Sequence, residues 1–505
     1  MPNTQSQPIT SRLEAILQDL AGLCAARGAR AWLTGGAARD LALGRAPSDL
    51  DVTVTGNGFD LARAFADAHG GAFVALDAER DTGRAVLAGP PPLTVDIGGL
   101  RAPDIEADLR LRDFTINALA VPLDAALRLP PPPAALLDPT GGLADLRAGI
   151  VRPCGPTSLR DDPLRVVRAA RLCATLDLRP APSLADMARA AVSGLDQVAG
   201  ERARDELLKL LDAPAAAPWL RFLDACGALT RLIPELEPGR ACEQPYVHFL
   251  PVLAHMLETV AALDWLLGGP TRAEALPVAV QAHPELTRSL PFAEEVQALM
   301  AERRAGGHHR QALLKLAALL HDNAKPQTKV VHPDGKVSFY GHQELGADAA
   351  AQIGRRLRLS RNDVRYVELV VREHMRPGQL RAADVLTPRA LYRFFRDLGD
   401  AGPDVLLHEL ADHLATRGPH VDAQGWVAHL AWTGALLAHY YAPTPARQAR
   451  LIDGNGLMAA LGIGPGPRVG ALLREIAEAQ AAGEIATREE AIELARQRLA
   501  ADDAR

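Results

Sequence analysis

Leu33-Thr-Gly-Gly-Ala-Ala-Arg-Asp40, followed after a short linker by Ser48-Asp-Leu-Asp-Val-Thr-Val54, decides the reading of this chain. Trp32-Leu33-Thr34 has the composition of a strand, and the two glycines at its end let backbone approach a ligand closely. A helix is expected from Ala37, with its free N–H groups available to phosphates. Asp49 and Asp51 stand two apart in a β-favouring run, so strand alternation puts both carboxylates on one face. Paired carboxylates beside a phosphate cradle suit Mg²⁺ and a nucleoside triphosphate. Gly35-Gly36 alone is weak, and so is Asp49-x-Asp51. Together, with Arg39 between them, they point to nucleotidyl transfer.

The rest of the chain sets the context. Its 505 residues allow two to four structural units, and an apolar fraction of 48% supplies a globular core. Ala, Leu and Arg are abundant and aromatics scarce, which favours helices. The formal charge of −6 excludes a global basic field, so a nucleic-acid partner would need a local patch. Five scattered cysteines without a C-x-x-C pair argue against a disulfide frame or a cysteine-ligated zinc. No signal peptide is read at the N-terminus, and apolar runs such as Ala312–Leu320 are too short for a membrane span. A cytoplasmic protein with no membrane partner is expected.

Along the chain, Ser11–Arg27 reads as an amphipathic helix. Strand and helix then alternate from about Ala31 to Leu123, with a helix at Phe59–Ala68 and β-like runs at Ala72–Leu76, Arg84–Ala88 and Leu93–Ile97. Pro90-Pro-Pro92 and Pro130–Pro133 mark breaks. From Asp161 onward the pattern is almost wholly helical, with Pro326–Gly341 reading as a loop. The expected divisions are an N-terminal helix (1–28), an α/β head (29–150), a helical neck (151–240), a helical domain (241–440) and a helical tail (441–505). The fold class is therefore α+β, a small α/β head followed by a mostly α-helical body.

A second constellation lies in Asp108-Leu-Arg-Leu-Arg-Asp-Phe-Thr-Ile-Asn-Ala-Leu-Ala120 and Arg160-Asp-Asp-Pro-Leu-Arg-Val-Val-Arg-Ala-Ala-Arg171. Asp162 suits an N-cap and Pro163 the first helical position. Arg165, Arg168 and Arg171 then recur along one side of the helix. Capping with a solvated basic stripe is one reading. The other is that these groups face a nucleotide, an Asp accepting from a base amino group and an Arg fork donating to base acceptors.

Five motifs in this order resemble those of the class II nucleotidyltransferases, the bacterial tRNA CCA-adding enzymes and poly(A) polymerases. They are Gly35-Gly36 with Asp49-x-Asp51; Arg112-Asp113-Phe-Thr-Ile-Asn-Ala; Asp161-Asp162-x-x-Arg165; Gly200-Glu-Arg-Ala-Arg-Asp-Glu206; and a tail, Leu457–Leu494, with Pro465-Gly-Pro and Gly483-Glu-Ile. The resemblance implies that Asp49 and Asp51 are catalytic and hold Mg²⁺. It implies that Gly35, Gly36, Arg39 and Arg112 bind the triphosphate and that Asp113 meets the ribose. Asp162 and Arg165 would select the base, supported by Arg168, with Glu201 and Arg204 bracing that helix. Asp96 in Thr94-Val-Asp-Ile97 is a candidate third carboxylate, against a purely structural role. Partners implied are the tRNA 3′ end, CTP and ATP.

This chain departs from the family in having Leu111-Arg112-Asp113 for Arg-Arg-Asp and Asp161-Asp162 for Glu-Asp. It departs further in length, since only about a dozen residues separate Arg101 from Asp113. Relatives that add all three nucleotides carry a longer flexible loop there, and shortened forms resemble enzymes that add only the two cytidines. CC addition is therefore expected, with a separate A-adding enzyme completing the end.

A third set, His255, His321-Asp322, His342, His374 and Asp412, is spread over the helical region. Imidazole and carboxylate together suit Mn²⁺, Ni²⁺, Zn²⁺ or Mg²⁺. The set resembles HD-domain metal-dependent phosphohydrolases, with Ala324 where the family pattern His-Asp-x-Gly-Lys has glycine. That resemblance implies a divalent ion, Mn, Ni, Mg or Co, against the alternative of a silent relic. Rival readings of the whole are a poly(A) polymerase, a full CCA-adding enzyme, a protein working mainly as an HD phosphohydrolase, and a non-catalytic RNA-binding protein.

Overall fold

Leu50, Val52 and Val54 alternate with Asp49, Asp51 and Thr53. The aliphatic side of this strand enters the core while its carboxylates face the other way. The computed structural model describes residues 6–47, 49–78, 81–89, 92–127, 132–270, 272–383, 386–441 and 450–503. The breaks expected at Pro90-Pro-Pro92 and Pro130–Pro133 lie partly outside them. Two compact units form: Met1–Val198 with Leu223–Leu232, and Ala199–Phe222 with Ile233–Arg505.

The first unit is built on a six-stranded sheet. Its strands are β1 (Ala31–Thr34), β2 (Asp49–Val54), β3 (Ala72–Asp77), β4 (Thr82–Leu87), β5 (Leu93–Gly99) and β6 (Ala120–Pro122), in the spatial order β3-β4-β5-β2-β1-β6. Only β2 and β5 pair in parallel, with Asp51 opposite Asp96; the other pairs are antiparallel. Helices α1 (Ser6–Ala26), α2 (Gly35–Ala42) and α3 (Gly58–Ala68) bury Leu17, Leu20, Ala38, Leu61 and Phe65 in one core with Leu33, Val52, Val95 and Ile97. At roughly 25 cal/mol per Å² of apolar surface, burial of this kind is the main stabilising term. The helix expected from Ala37 begins two residues earlier, because Gly35 at φ +64° makes the turn directly out of β1.

After β5 the chain crosses to α4 (Ile105–Arg110) in a few residues. Asp104 caps that helix by accepting from the Ala107 N–H at 2.8 Å. Asp108, 1% exposed, accepts from the Arg101 backbone N–H (3.1 Å) and from its guanidinium (3.0 and 3.2 Å), and lies 3.5 Å from Arg112 Nε. The crossing is thus pinned at both ends.

The second unit is almost entirely helical. Pro326–Gly341 is not plain loop, since Val330–Val331 and Val337–Ser338 pair as a short hairpin. Toward the C-terminus, the helices Gly454–Leu461, Pro467–Ala481 and Arg488–Asp503 share a core of Leu457, Val469, Leu472, Ile476 and Ala491. Glu478 of this group receives Arg393 at 2.6 Å, and also Arg396, both from the helix Pro388–Leu398. Among the described residues no helix is long and apolar enough to cross a membrane.

Candidate functional site

In the first unit the carboxylates of β2 meet the turn at Gly35-Gly36. A Cβ at Gly35 would lie 2.9 Å from Asp51 Oδ2 and 3.2 Å from Arg112 Nη1, so glycine is needed for space as well as for φ. The Gly36 N–H donates to the Asp51 carboxylate. Burial first, and the Asp96 charge second, push Asp51 up to about 6, with Arg112 acting the other way. Asp49 is exposed and accepts from Thr94 Oγ1. Asp96, in register with Asp51, is bound by Arg84 through Nε (2.6 Å) and Nη2 (2.7 Å). The structure therefore shows it as an arginine-paired carboxylate. Arg84 went unnoticed in the sequence; its place two strands from Asp51 in the same row is what brings it there.

Around this centre, Arg39 Nη1 donates to Asn117 Oδ1 at 2.7 Å. Arg112 Nη2 donates to Thr34 Oγ1 (3.0 Å) and Thr53 Oγ1 (2.9 Å), so its guanidinium is fixed beneath the glycine turn. Asp113 accepts from the Phe114 N–H (2.7 Å) and from Arg168 Nη1 (3.0 Å), and its pKa is lowered: burial opposes, but the Arg168 charge and hydrogen bond prevail. Arg165 donates to Ser158 O and Oγ at 3.2 and 2.9 Å.

Two expectations are corrected here. The arginine-bearing helix spans Arg165–Leu176, not a span capped by Asp162, because Asp162 accepts from the Leu164 N–H (3.3 Å) and makes a local turn first. Arg168 Nη1 lies 3.0 Å from Asp113 Oδ2. Glu201 and Arg204 engage Arg358, the former at 3.6 Å and the latter through its carbonyl at 2.7 Å, rather than bracing that helix.

In the second unit the dispersed histidines converge. His255 Nε2 lies 3.2 Å from His321 Nε2, 3.4 Å from Asp322 Oδ2 and 3.0 Å from Asp412 Oδ1. His342 Nε2 lies 3.3 Å from His374 Nε2 and 3.3 Å from Asp322 Oδ1. His321, His342 and His374 each donate through Nδ1 to a backbone carbonyl, Ala318 (2.8 Å), Phe339 (2.8 Å) and Val371 (2.7 Å). With the proton held at Nδ1, the inward Nε2 atoms are bare lone pairs facing one another, an arrangement that a shared cation satisfies and a hydrogen bond between them does not. Two overlapping groups, His255-His321-Asp412 and His321-Asp322-His374, have ligand atoms close enough for one ion each. Burial takes His374 down to about 3, which favours the neutral, ligating form.

Two residues of this cluster were not among the sequence candidates. Lys325 Nζ holds Asp322 Oδ2 at 2.6 Å, the i,i+3 partner of the His-Asp dipeptide. His408, buried and four residues before Asp412 on the helix Gly402–Arg417, packs its ring against His321 with centroids 4.7 Å apart. The four-residue spacing was the available signal.

Comparison with known proteins agrees with this geometry. Residues 31–152 match the model of the poly A polymerase head domain, 177–239 that of the probable RNA and SrmB-binding site of polymerase A, and 293–415 that of the HD domain. The chain is 37% identical to an A-adding tRNA nucleotidyltransferase of Deinococcus radiodurans, over 91% of this chain and 93% of that one. It is 32% identical to a CC-adding tRNA nucleotidyltransferase of Geobacter sulfurreducens, over 94% and 93%. A solved CCA-adding enzyme in complex with ATP shares the fold at a TM-score of 0.61 and 21% identity, covering 97% of this chain and 96% of that one. With full-length relatives at this identity and a head whose carboxylates sit where the glycine turn meets β2, the chain belongs to the tRNA nucleotidyltransferase family and carries an HD domain.

Proposed function

We propose that this protein adds CMP to the 3′ end of tRNA without a nucleic-acid template, the RNA 3′-hydroxyl attacking the α-phosphorus of CTP as pyrophosphate leaves. The observation that carries the reading is the pair Asp49 and Asp51 on one strand face beside the Gly35-Gly36 turn. The pair fits Mg²⁺, because Asp51 is half-buried next to a second anion, Asp96, an electrostatic situation a cation relieves. Mg²⁺ there would neutralise charge developing on the attacking and leaving oxygens. Gly35, Gly36, Arg39 and Arg112 bind the triphosphate, and Asp113, held by Arg168, meets the ribose. Asp162 and Arg165 read the Watson–Crick edge of the base. In this assignment residues 29–150 are the catalytic head, 151–240 the neck, 241–440 the HD domain and 441–505 the tail. A tRNA substrate places the reaction in the cytoplasm.

The product is set by rigidity. One pocket that serves cytosine and then adenine must reshape, and a mobile segment is the natural lever. The Arg101–Asp108–Arg112 clamp ties that segment down. On tRNA ending at the discriminator base, with CTP and ATP both present, product is expected to stall at plus two on a nucleotide-resolved gel. Efficient plus-three product or a poly(A) ladder overturns this. A second single-base reading, addition of the terminal AMP only, is favoured by the A-adding relative at 37% identity. It predicts no extension of the discriminator end and one AMP on tRNA ending in CC. In the first case a separate A-adding enzyme completes the end.

The glycine turn supplies a further expectation. Gly35→Ala forces a Cβ against Asp51 and Arg112 at a left-handed backbone position, a strain of roughly 1–2 kcal/mol before any clash. We expect addition to fall at least tenfold and the melting temperature to drop by several degrees, about 2–4 °C per kcal/mol; unchanged rates in a steady-state assay contradict the placement.

For the second unit we propose a divalent-metal phosphohydrolase centre. His255, His321, Asp322, His342, His374 and Asp412 would hold the ion, Mn²⁺, Ni²⁺, Mg²⁺ or Co²⁺, which would polarise a phosphoryl oxygen and provide a water of lowered pKa. Lys325 fixes Asp322, and the three carbonyl-bonded Nδ1 atoms hold the imidazoles in the ligating tautomer.

A further inference from the structure

A chain of charge −6 that acts on RNA must gather its cations locally. The densest such stretch outside the described sites is Arg355–Arg365, with five arginines and a single acid, Asp363. Asp363 is fully buried, its carboxylate against Gly306; Arg356 and Arg358 pair with Glu235 and Glu201, and of the arginines in this stretch the one lining a cleft is the exposed Arg365. Directly across from it, the turn between the helices Ala293–Ala301 and Arg310–Leu320 presents Arg303 and Arg304.

Between them is a cleft of about 440 Å³, lined by Arg303, Arg304, Arg310, Asn362, Arg365 and Tyr366 among others. Its floor is built, not incidental. Arg310, 2% exposed, donates to both oxygens of buried Asp404 at 2.8 and 2.6 Å, and the Tyr366 hydroxyl donates to the same carboxylate at 2.6 Å. The Arg304 guanidinium stacks on the Tyr366 ring at 4.2 Å, with its Nε buried and without a hydrogen-bond partner among the described residues. Arg303 and Arg365 stand exposed at the rim, and Arg365 has no ion-pair partner among the described residues. The acids on the rim, Glu302 and Asp400, are 60% and 62% exposed and pair with Arg304 and Arg310, so that among the described residues neither rim arginine has a carboxylate partner.

We propose that this cleft is a docking site for backbone phosphates of the acceptor RNA, a proposal that rests on the tRNA reading above and gives the RNA a place on the helical unit. Every lining cation is arginine, whose planar fork matches a phosphate, and a guanidinium already stacked on an aromatic ring loses little freedom when it binds. Two exposed rim arginines over a rigid floor, Arg303 held toward the turn by donating from Nη1 to Gly307 O at 2.6 Å, suit a phosphodiester track rather than one buried anion. The His374 end of the helix Arg361–Glu373 meets the histidine–aspartate cluster, whereas the cleft residues Asn362, Arg365 and Tyr366 occupy its first half, so the two sites are separable.

The test is the double variant Arg303→Glu with Arg365→Glu, beside Arg303→Lys with Arg365→Lys, in the full chain. Filter binding of tRNA lacking its 3′ end is measured over a salt series, and KM is measured for that tRNA and for CTP. The glutamate pair should raise Kd and KM for tRNA at least tenfold and flatten the slope of log K against log salt by about two, roughly one per lost contact. KM for CTP and kcat at saturating RNA should stay within twofold, and the lysine pair should keep most of the slope. Unchanged tRNA affinity and slope in a glutamate variant with wild-type circular dichroism overturns the proposal. So does a rise in KM confined to CTP. Wild-type protein that binds tRNA through these arginines but extends it with no nucleotide would defeat the catalytic reading and leave the cleft standing.

Discussion

Asp51→Ala is expected to lower nucleotide addition to tRNA by at least about a thousandfold while circular dichroism and the melting curve stay close to wild type. Deleting one positioned polar group at a charged transition state already costs about 10²–10³ in rate, and here the group lost is a carboxylate assigned to the metal. The fold should tolerate the change, since Asp51 lies on the open face of β2 while Leu50, Val52 and Val54 carry the packing. Asp51→Asn separates charge from shape and should be nearly as damaging. Protons compete with the metal for the same oxygens. Because burial and the Asp96 charge hold Asp51 near 6, the Mg²⁺ concentration for half-maximal rate should rise as pH falls through that value and level off above it. A folded Asp51→Ala enzyme that extends tRNA at near wild-type rate removes the metal assignment.

Asp322→Asn should abolish metal-dependent phosphoester hydrolysis, tested with Mg²⁺, Mn²⁺, Ni²⁺ and Co²⁺, and leave CMP addition within twofold. Loss of a ligand should exceed the roughly 10–100-fold fall in metal affinity seen when only an outer hydrogen-bond partner is removed. Metal content of the purified protein gives a readout independent of activity and should fall with hydrolysis. Asparagine is chosen over alanine because it keeps the volume and an acceptor oxygen for buried Lys325, although the charge is lost in both. His374→Gln provides a variant that leaves the Lys325–Asp322 pair intact. If wild type hydrolyses nothing and binds no metal, the site is a relic.

How far these sites were legible depended on the range of the interaction involved. The strand alternation at Asp49-x-Asp51 and the glycines before it are local, and period two places both carboxylates wherever the strand ends up. The His-Asp cluster was legible as residue types, but convergence from five helical contexts is tertiary packing; only His408 and Lys325, at four and three residues from known members, had a local signature. The expected N-cap at Asp162 failed because the side chain closes a turn on Leu164 before the helix begins, an alternative that Asp offers at every such position. Glu201 and Arg204 failed for a different reason. Their partner, Arg358, is more than 150 residues away in the chain, and nothing near a charged side chain in sequence says which distant surface it will meet.

The clamp of Arg101 and Arg112 on Asp108 has an evolutionary consequence. If base choice is limited by how freely the crossing from β5 to α4 can move, the product can change through an insertion or deletion there with no substitution at a residue that touches the nucleotide. Asp162 and Arg165 could then be identical in paralogues that write different letters, and sorting such paralogues by their pocket residues would mislead. Lengthening the chain between Leu100 and Asp104, with Asp108 kept, becomes the simplest route by which an enzyme of one base acquires a second, and shortening it the route by which one ancestral enzyme divides its task between two genes.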